Sequence, residues 1–359
     1  MQVETIILPD VQRLEYWQEQ WFDLFREQTT TDLSSSYQWL ANDFLNFKKE
    51  DNRRCYIVHS NGVFRGAMVC EIQRHRLGAR LSVPIVNTGS HFVSDFAIDN
   101  NDGDGTLAVL IEAIQNDFPH SAWINFERLT LNCFQHIQTL SARTHALLLV
   151  YGNDDSSVFD VDTKDFSAFT QSMSSKSKAN LRYYERLLDR KIGSVVLDVV
   201  SPQSDDDFDS HYNQFLDIEN SGWKGKKGTA ITQMESSKEF HYALCKTAAK
   251  QGQLRWYKLY AGHQLITMNM AIQRASDLWI VKTAYDDNFQ EFSPGAIGIT
   301  KLLHSAVEDM KICKVRMITN YAWLDRWHPT KETYHGIRIF NKNLLGKIFY
   351  PLLKFLQNK

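Results

Sequence analysis

Apolar and polar positions alternate through residues 53–72, "RRCYIVHSNGVFRGAMVCEI", and the run is broken only at Asn61-Gly62. Alternation with period two puts one face on a core, and Asn-Gly supplies the positive φ angles of a two-residue hairpin turn, so this stretch predicts two antiparallel strands. A third strand follows in "ARLSVPIV" (79–86). The spacing then lengthens to that of a helix in "TLAVLIEAIQND" (106–117), opened by Gly105, and returns to a strand in "AWINFERL" (122–129). The second half repeats the order. "LRWYKLYA" (254–261) and "QLITMNMAI" (264–272) flank Gly262-His263, and "LWIVKTAY" (278–285) makes the third strand. In residues 293–311 Ile299, Leu302, Leu303, Ala306 and Met310 recur at helical spacing, and "KVRMIT" (314–319) closes the set. Each copy is preceded by a strand and two helical stretches: 5–8 in the first, "SVVLDVV" (194–200) in the second, the latter followed by helices over 208–219 and 237–251.

Recurrence of one order about 200 residues on predicts a tandem of one α/β (α+β) fold, each copy a mostly antiparallel mixed sheet flanked by helices. Two domains also suit a chain of 359 residues. The acidic, turn-rich "YGNDDSSVFDVDTKDF" (151–166) reads as the linker, giving domains 1–165 and 166–359. Pro351 interrupts any single helix in the basic, apolar tail "NLLGKIFYPLLKFLQNK" (343–359). That tail either packs on its own domain or rests on an anionic membrane surface.

Composition narrows the chemistry. With 43% hydrophobic residues, 23% charged residues and a formal charge of −2, nothing marks the chain as disordered or as a DNA-binding protein. Five scattered cysteines without a C-x-x-C pair argue against a disulfide framework or a zinc site. No 18-residue apolar window occurs, and the first residues lack a leader pattern, so a cytoplasmic location is expected. "NNDGDG" (100–105) starts like a calcium loop, but Ile111 stands where a bidentate Glu is needed, so no metal is expected. The sequence has no G-x-S-x-G elbow, H-E-x-x-H pair or G-x-x-x-x-G-K-[ST] loop.

Three stretches carry candidate sites. In "LDIENSGWKGKKGTAI" (216–231), Glu219 ends a helix, where a carboxylate faces the negative end of the dipole and needs a partner. Lys224 or a substrate amine is the candidate for that partner, Trp223 offers an indole for stacking, and the Lys224 ammonium suits an anionic group. In "KTAYDDNFQEFSPGAIG" (282–298), alternation puts Lys282 and Asp286 on one side and Tyr285 on the other. The start "SPGAIG" offers Gly295, Ala296 and Gly298 at the positive end of a helix. Arg182, Arg186 and Arg190 share one helix face, either as a solvated row or as an anion track.

The order of elements resembles the GNAT acyltransferase fold, and residues 173–341 resemble the CelD/BcsL-type acetyltransferase domain, a relative of the FemAB-like tandem transferases. The resemblance rests on the two stretches just quoted and on "DRWHP" (325–329), with looser likeness in "SSSYQWL" (34–40) and "VSDFAID" (93–99). It implies direct attack of an amine on an acyl thioester or ester, with Glu219, Lys282, Tyr285 and Asp286 in catalytic roles. Trp223, Lys224, Trp327 and Asp95 would then contact the acceptor, and Gly295, Ala296, Gly298, Arg182 and Arg186 the donor. Acyl-CoA (acetyl-CoA) is the expected co-substrate, and a small-molecule or sugar amine, or an envelope precursor, the acceptor. An acyl carrier protein is another donor, and aminoacyl-tRNA is the donor of the FemAB-like alternative. Where relatives often carry Tyr-Lys before the last tryptophan, this chain has "NYAWLDRW" (320–327) with Leu324, leaving Arg326 or Lys331 as substitutes. A catalytically silent binding module is the third reading.

Overall fold

The computed structural model describes residues 1–7, 10–27, 32–46, 53–74, 82–86, 93, 95–163 and 165–357. They form two compact units, one of Met1–Asp155 with Thr333–Lys359, the other of Ser156–Glu332. The first unit begins with β1 (Gln2–Ile7), α1 (Val11–Tyr16), α2 (Gln18–Glu27) and α3 (Tyr37–Asn46). It continues with β2 (Arg53–Ser60), β3 (Val63–Arg74), β4 (Ser82–Val86), β5 (Ala97–Ile98), α4 (Gly103–Asp117), β6 (Trp123–Leu129), α5 (Leu131–Thr144) and β7 (Leu148–Asp160). The Asn61-Gly62 turn joins β2 to β3 with φ of 51° and 77°. Residues 79–81 of the third expected strand, Leu8 of the first and Ser94 lie outside the described residues.

The second unit contains α6 (Phe166–Phe169), α7 (Ser175–Lys191), β8 (Val195–Val200), α8 (Asp205–Ser221), α9 (Trp223–Lys226) and α10 (Glu235–Lys250). Then come β9 (Leu254–Ala261), β10 (Gln264–Arg274), β11 (Asp277–Tyr285), α11 (Pro294–Glu308) and β12 (Lys314–Met317). β13 (Thr330–Phe340) and α12 (Leu344–Gln357) end the chain. β8, β9, β10 and β11 form an antiparallel meander, β12 joins β11 in parallel, and β7 pairs antiparallel with β12 from Ser157 to Asp160. α11 makes the crossover a parallel pair requires. Its buried stripe of Ile299, Leu302, Leu303 and Ala306 packs with Leu278 and Ile280 of β11. Both units therefore show the expected mixed, mostly antiparallel sheet with flanking helices.

Three expectations change. Residues 151–166 are not a linker: β7 occupies them to Asp160, and its acids are satisfied, Asp154 by Arg128 and Asp155 by the Thr333 hydroxyl at 3.0 Å. The division at 165/166 moves, because Thr333–Phe340 of β13 belongs to the first unit's sheet between β6 and β7, while the end of β7 belongs to the second. Pairing over such sequence distances leaves no local signature. Third, α12 runs through Pro351 as one helix. Leu345, Phe349 and Leu353 seat it on Trp123, Leu149 and Phe340 of its own unit, and that packing compensates for the missing N–H.

Candidate functional site

The site of the second unit begins with a parting of strands. β11 pairs with β12 from Asp277↔Lys314 to Ile280↔Met317 and then continues five residues to Tyr285. Just there the register against β10 slips, Met270↔Lys282 being followed by Ala271↔Ile280, so Val281 is an extra residue that bends the strand. The opening holds a cavity of about 530 Å³, within the size range of small-molecule sites. Its walls are Thr283, Ala284 and Tyr285 of β11, Asn269 of β10, the start of α11 from Ser293 to Ala296, Trp223, Lys224 and Lys227, and Tyr321, Trp323 and Arg326 after β12.

Glycines let the stretch 220–229 fold tightly rather than wave in solvent. A Cβ on Gly225 would lie 2.0 Å from the Asn220 carbonyl oxygen, and one on Gly222 2.7 Å from that of Tyr285. α9 is thereby pressed against both α8 and the end of β11, and its lysines acquire distinct partners. Lys224 Nζ donates to Glu219 Oε1 at 3.1 Å and to the Thr283 carbonyl at 2.7 Å. Lys226 pairs with Asp287 at 2.8 Å, and the Lys227 ammonium lies over the Trp223 ring, 5.3 Å from its centroid. Trp223 itself is 38% exposed at the cavity rim.

Glu219 finds the compensation that its place at a helix end demands. It is 1% exposed, and its second oxygen accepts the Ile231 N–H at 2.8 Å. Both oxygens are thus engaged behind Lys224, and the Lys224 ammonium stands between the carboxylate and the cavity. Lys282 is drawn into the same cluster. Burial, reinforced by Lys224 and opposed by Glu219, holds its ammonium down to about 8. His241, fully buried, is kept well below the ordinary imidazole value by burial first and then by Lys282, with a smaller contribution from Lys224. Its Nδ1 lies 2.6 Å from the Ser237 carbonyl, which only accepts, so the proton sits on Nδ1.

Other candidates are placed differently. Asp286 and Lys282 do not form the expected pair: Asp286 caps the turn Asp287–Phe292, its Oδ1 accepting the Asn288 N–H at 2.9 Å. Tyr285 lines the cavity, its phenol pushed upward by burial and then by Asp287, against a smaller lowering effect from Lys226. At the start of α11, Gly295 and Ala296 face the cavity. Gly298 does not; a Cβ there would stand 2.6 Å from Thr267 Oγ1, so this glycine serves the packing of α11 on β10. Arg182 and Arg186 are exposed on α7, away from these walls, beside a separate pocket that includes Glu185 and Asp189. Trp327 is 2% exposed and packs edge-on against Phe159 and Trp323, hence a core residue. Asp95 belongs to the first unit, buried, accepting from Ser34 Oγ at 2.5 Å and the Thr130 N–H at 3.0 Å. Leu324 is buried, Lys331 pairs with Asp325 at 2.6 Å, and Arg326 is the cation that reaches the cavity. Burial lowers its guanidinium from the ordinary value.

Two residues escaped sequence reasoning. Asn269 is 3% exposed on the cavity wall, and its Nδ2 has no hydrogen-bond partner among the described residues. His241 sits mid-helix, without the i, i+4 carboxylate that would have drawn attention to it. Period-two alternation in "TMNMAI" puts Asn269 opposite Met268 and Met270, the one signal that could have pointed to it.

Comparison with known proteins points to the same unit. Residues 175–318, inside the second unit, match the family described as "Acetyltransferase (GNAT) domain". No curated protein matches significantly. Among solved structures, the C-terminal domain of a protein described as a lysylphosphatidylglycerol synthetase from Agrobacterium fabrum aligns at 12% identity and TM-score 0.56, over 95% of each chain. FemX aligns at 8% identity and TM-score 0.55, over 97% of this chain and 99% of its own. L-PGS from Bacillus licheniformis aligns at 12% and 0.53, over 97% of each. At such identities the likeness is one of fold, and it extends over both units. With this match to a GNAT acetyltransferase domain inside its second unit, the protein is an acyltransferase by class.

Proposed function

We propose that the second unit is an N-acyltransferase in which an amine attacks an activated acyl carbonyl directly, within the cavity opened by the parting of β11 and β12. One observation carries the proposal: the GNAT-matched segment supplies most of a cavity's walls, among them a helix start, an ammonium anchored on a buried carboxylate and a protonated phenol. The positive end of α11, with Lys227 and Arg326, suits the phosphates of a donor such as acyl-CoA or a carrier-bound thioester. Among the described residues, only Tyr285 side-chain carbons come near Gly295, at 3.5 Å and 3.9 Å from where a Cβ would stand, so a donor can approach the helix backbone. Lys224, held by Glu219 and the Thr283 carbonyl, stabilises the charge that develops on the acyl oxygen. Tyr285 keeps its proton at neutral pH and gives it to the departing thiolate, and the proton that the attacking nitrogen releases to solvent is matched by one that solvent returns to the phenolate. Glu219 acts through Lys224, as a positioning residue. Trp223 stacks on the acceptor at the rim.

Within the class we place the second unit nearest the CelD/BcsL-type domains, because both stretches that carry that resemblance converge on this one cavity. A second reading is favoured by the exposed row of Arg182, Arg186 and Arg190: a FemAB-like transfer from aminoacyl-tRNA, with α7 tracking phosphates. Acyl transfer by the purified chain to a panel of amines, with acetyl-CoA in one arm and charged tRNA in the other, separates the readings. Transfer in neither arm, with the protein folded, leaves the binding module as the function.

A further inference from the structure

We infer that α12 is an interfacial anchor that lays the first unit on an anionic bilayer. The helix is apolar on two sides. One side is used: Leu345, Phe349 and Leu353 pack on their own unit. On the other, Leu344, Ile348, Leu352 and Leu356 follow one another at i, i+4, i+8 and i+12, exposed by 72%, 52%, 48% and 56%. Four large aliphatic side chains in one continuous row make a contiguous patch of the kind that monomeric surfaces seldom leave uncovered.

Charge chooses the occupant. Residues 341–359 hold Lys342, Lys347, Lys354 and Lys359 and no acid. Lys347 and Lys354 stand seven residues apart, which places both along one border of the exposed row. A second copy of the chain meeting this row across a two-fold axis would bring the same cations together. An anionic lipid surface satisfies both features at once: the leucines and Ile348 enter the acyl boundary while the lysine stems reach back to the phosphates. A 14-residue helix suits such a position in the plane of the interface, and among the described residues no helix is long and apolar enough to cross a membrane.

The test is sedimentation of the full chain with vesicles of phosphatidylcholine alone and with about one third phosphatidylglycerol. Binding is expected to the anionic vesicles, weakening as salt rises. Leu352→Glu, on a position already exposed, should weaken it about ten-fold or more, and Lys347→Ala with Lys354→Ala by several-fold at about 0.1 M salt. A wild-type chain that stays in the supernatant overturns the proposal, as does equal binding to neutral vesicles. A dimer in solution that Ile348→Glu dissociates assigns the row to a second copy and overturns it too.

Discussion

Replacing Glu219 by glutamine isolates the interaction that sets Lys224 at the cavity. The carboxylate now accepts from two donors, Lys224 Nζ and the Ile231 N–H, at 3.1 and 2.8 Å. Glutamine has one acceptor oxygen; whichever way its amide turns, the NH₂ confronts a donor. In a group 1% exposed, the loss of a charged hydrogen bond or of the partner to a buried N–H costs about 1–3 kcal/mol. The Lys224 side chain is 16% exposed, so solvent softens its share and about 2 kcal/mol is the reasonable sum. For a unit spanning Ser156–Glu332 that is a fall in Tm of about 4–8 °C. Turnover should fall about 10²-fold, because Lys224 keeps only the Thr283 carbonyl to fix it. The assays are a thermal melt and acyl transfer on the same preparation, repeated with Lys224→Met and the double variant. A shared interaction makes the effects of the pair less than additive. If Glu219→Gln melts within 1 °C of wild type, the pair does not hold this region together; if it also turns over normally, Lys224 is no part of the chemistry.

Lys282 gives a pH signature. Its ammonium is depressed to about 8 from 10.5, so the unfolded chain binds the extra proton between those values and stability rises as pH passes from about 8 to 10.5. The gap corresponds to at most about 3 kcal/mol; Lys282→Met should raise Tm at pH 7 and flatten the rise, and an unchanged profile in denaturant titrations would count against the burial argument. Gly298→Ala drives a Cβ to 2.6 Å from Thr267 Oγ1 and should cost about 1–3 kcal/mol, whereas Gly295→Ala, whose nearest neighbour is Tyr285 at 3.5 Å, should melt normally and weaken donor binding by calorimetry. Asn269→Leu removes a buried amide nitrogen with no partner among the described residues, so Tm should hold or rise while kcat/KM falls about ten-fold; a loss of stability with full activity would show the amide to be structural.

Much of the second unit was legible because its features are local. The meander from β9 to β11, the helix start at Pro294 and the pairing of Lys224 with Glu219 are written in short runs of alternation, a Pro-Gly opening and a carboxylate at a helix end. Residue roles were harder. Lys282 and Asp286 have the right spacing for a shared face, but Asp286 ends the strand and caps the turn Asp287–Phe292, a local competition that strand alternation does not announce. Gly298 reads like Gly295 until its packing against Thr267 is seen. Trp327 carries a family-like motif yet lies in a core, since an indole beside charged residues satisfies either place equally well.

The placement of β13 has a consequence for synthesis. This strand lies between β6 and β7 in the first unit's sheet, and Thr333 begins only after all of Ser156–Glu332 has been made. At about 5–20 residues per second, the ribosome needs about 10–35 s to cover that interval. Through it the nascent first unit holds an open slot with strand edges on both sides, while the second unit already owns every strand it needs. The N-terminal part of the chain is therefore the last to be finished, and a stop codon at residue 333 would release a completed second unit tethered to a sheet with a missing interior strand.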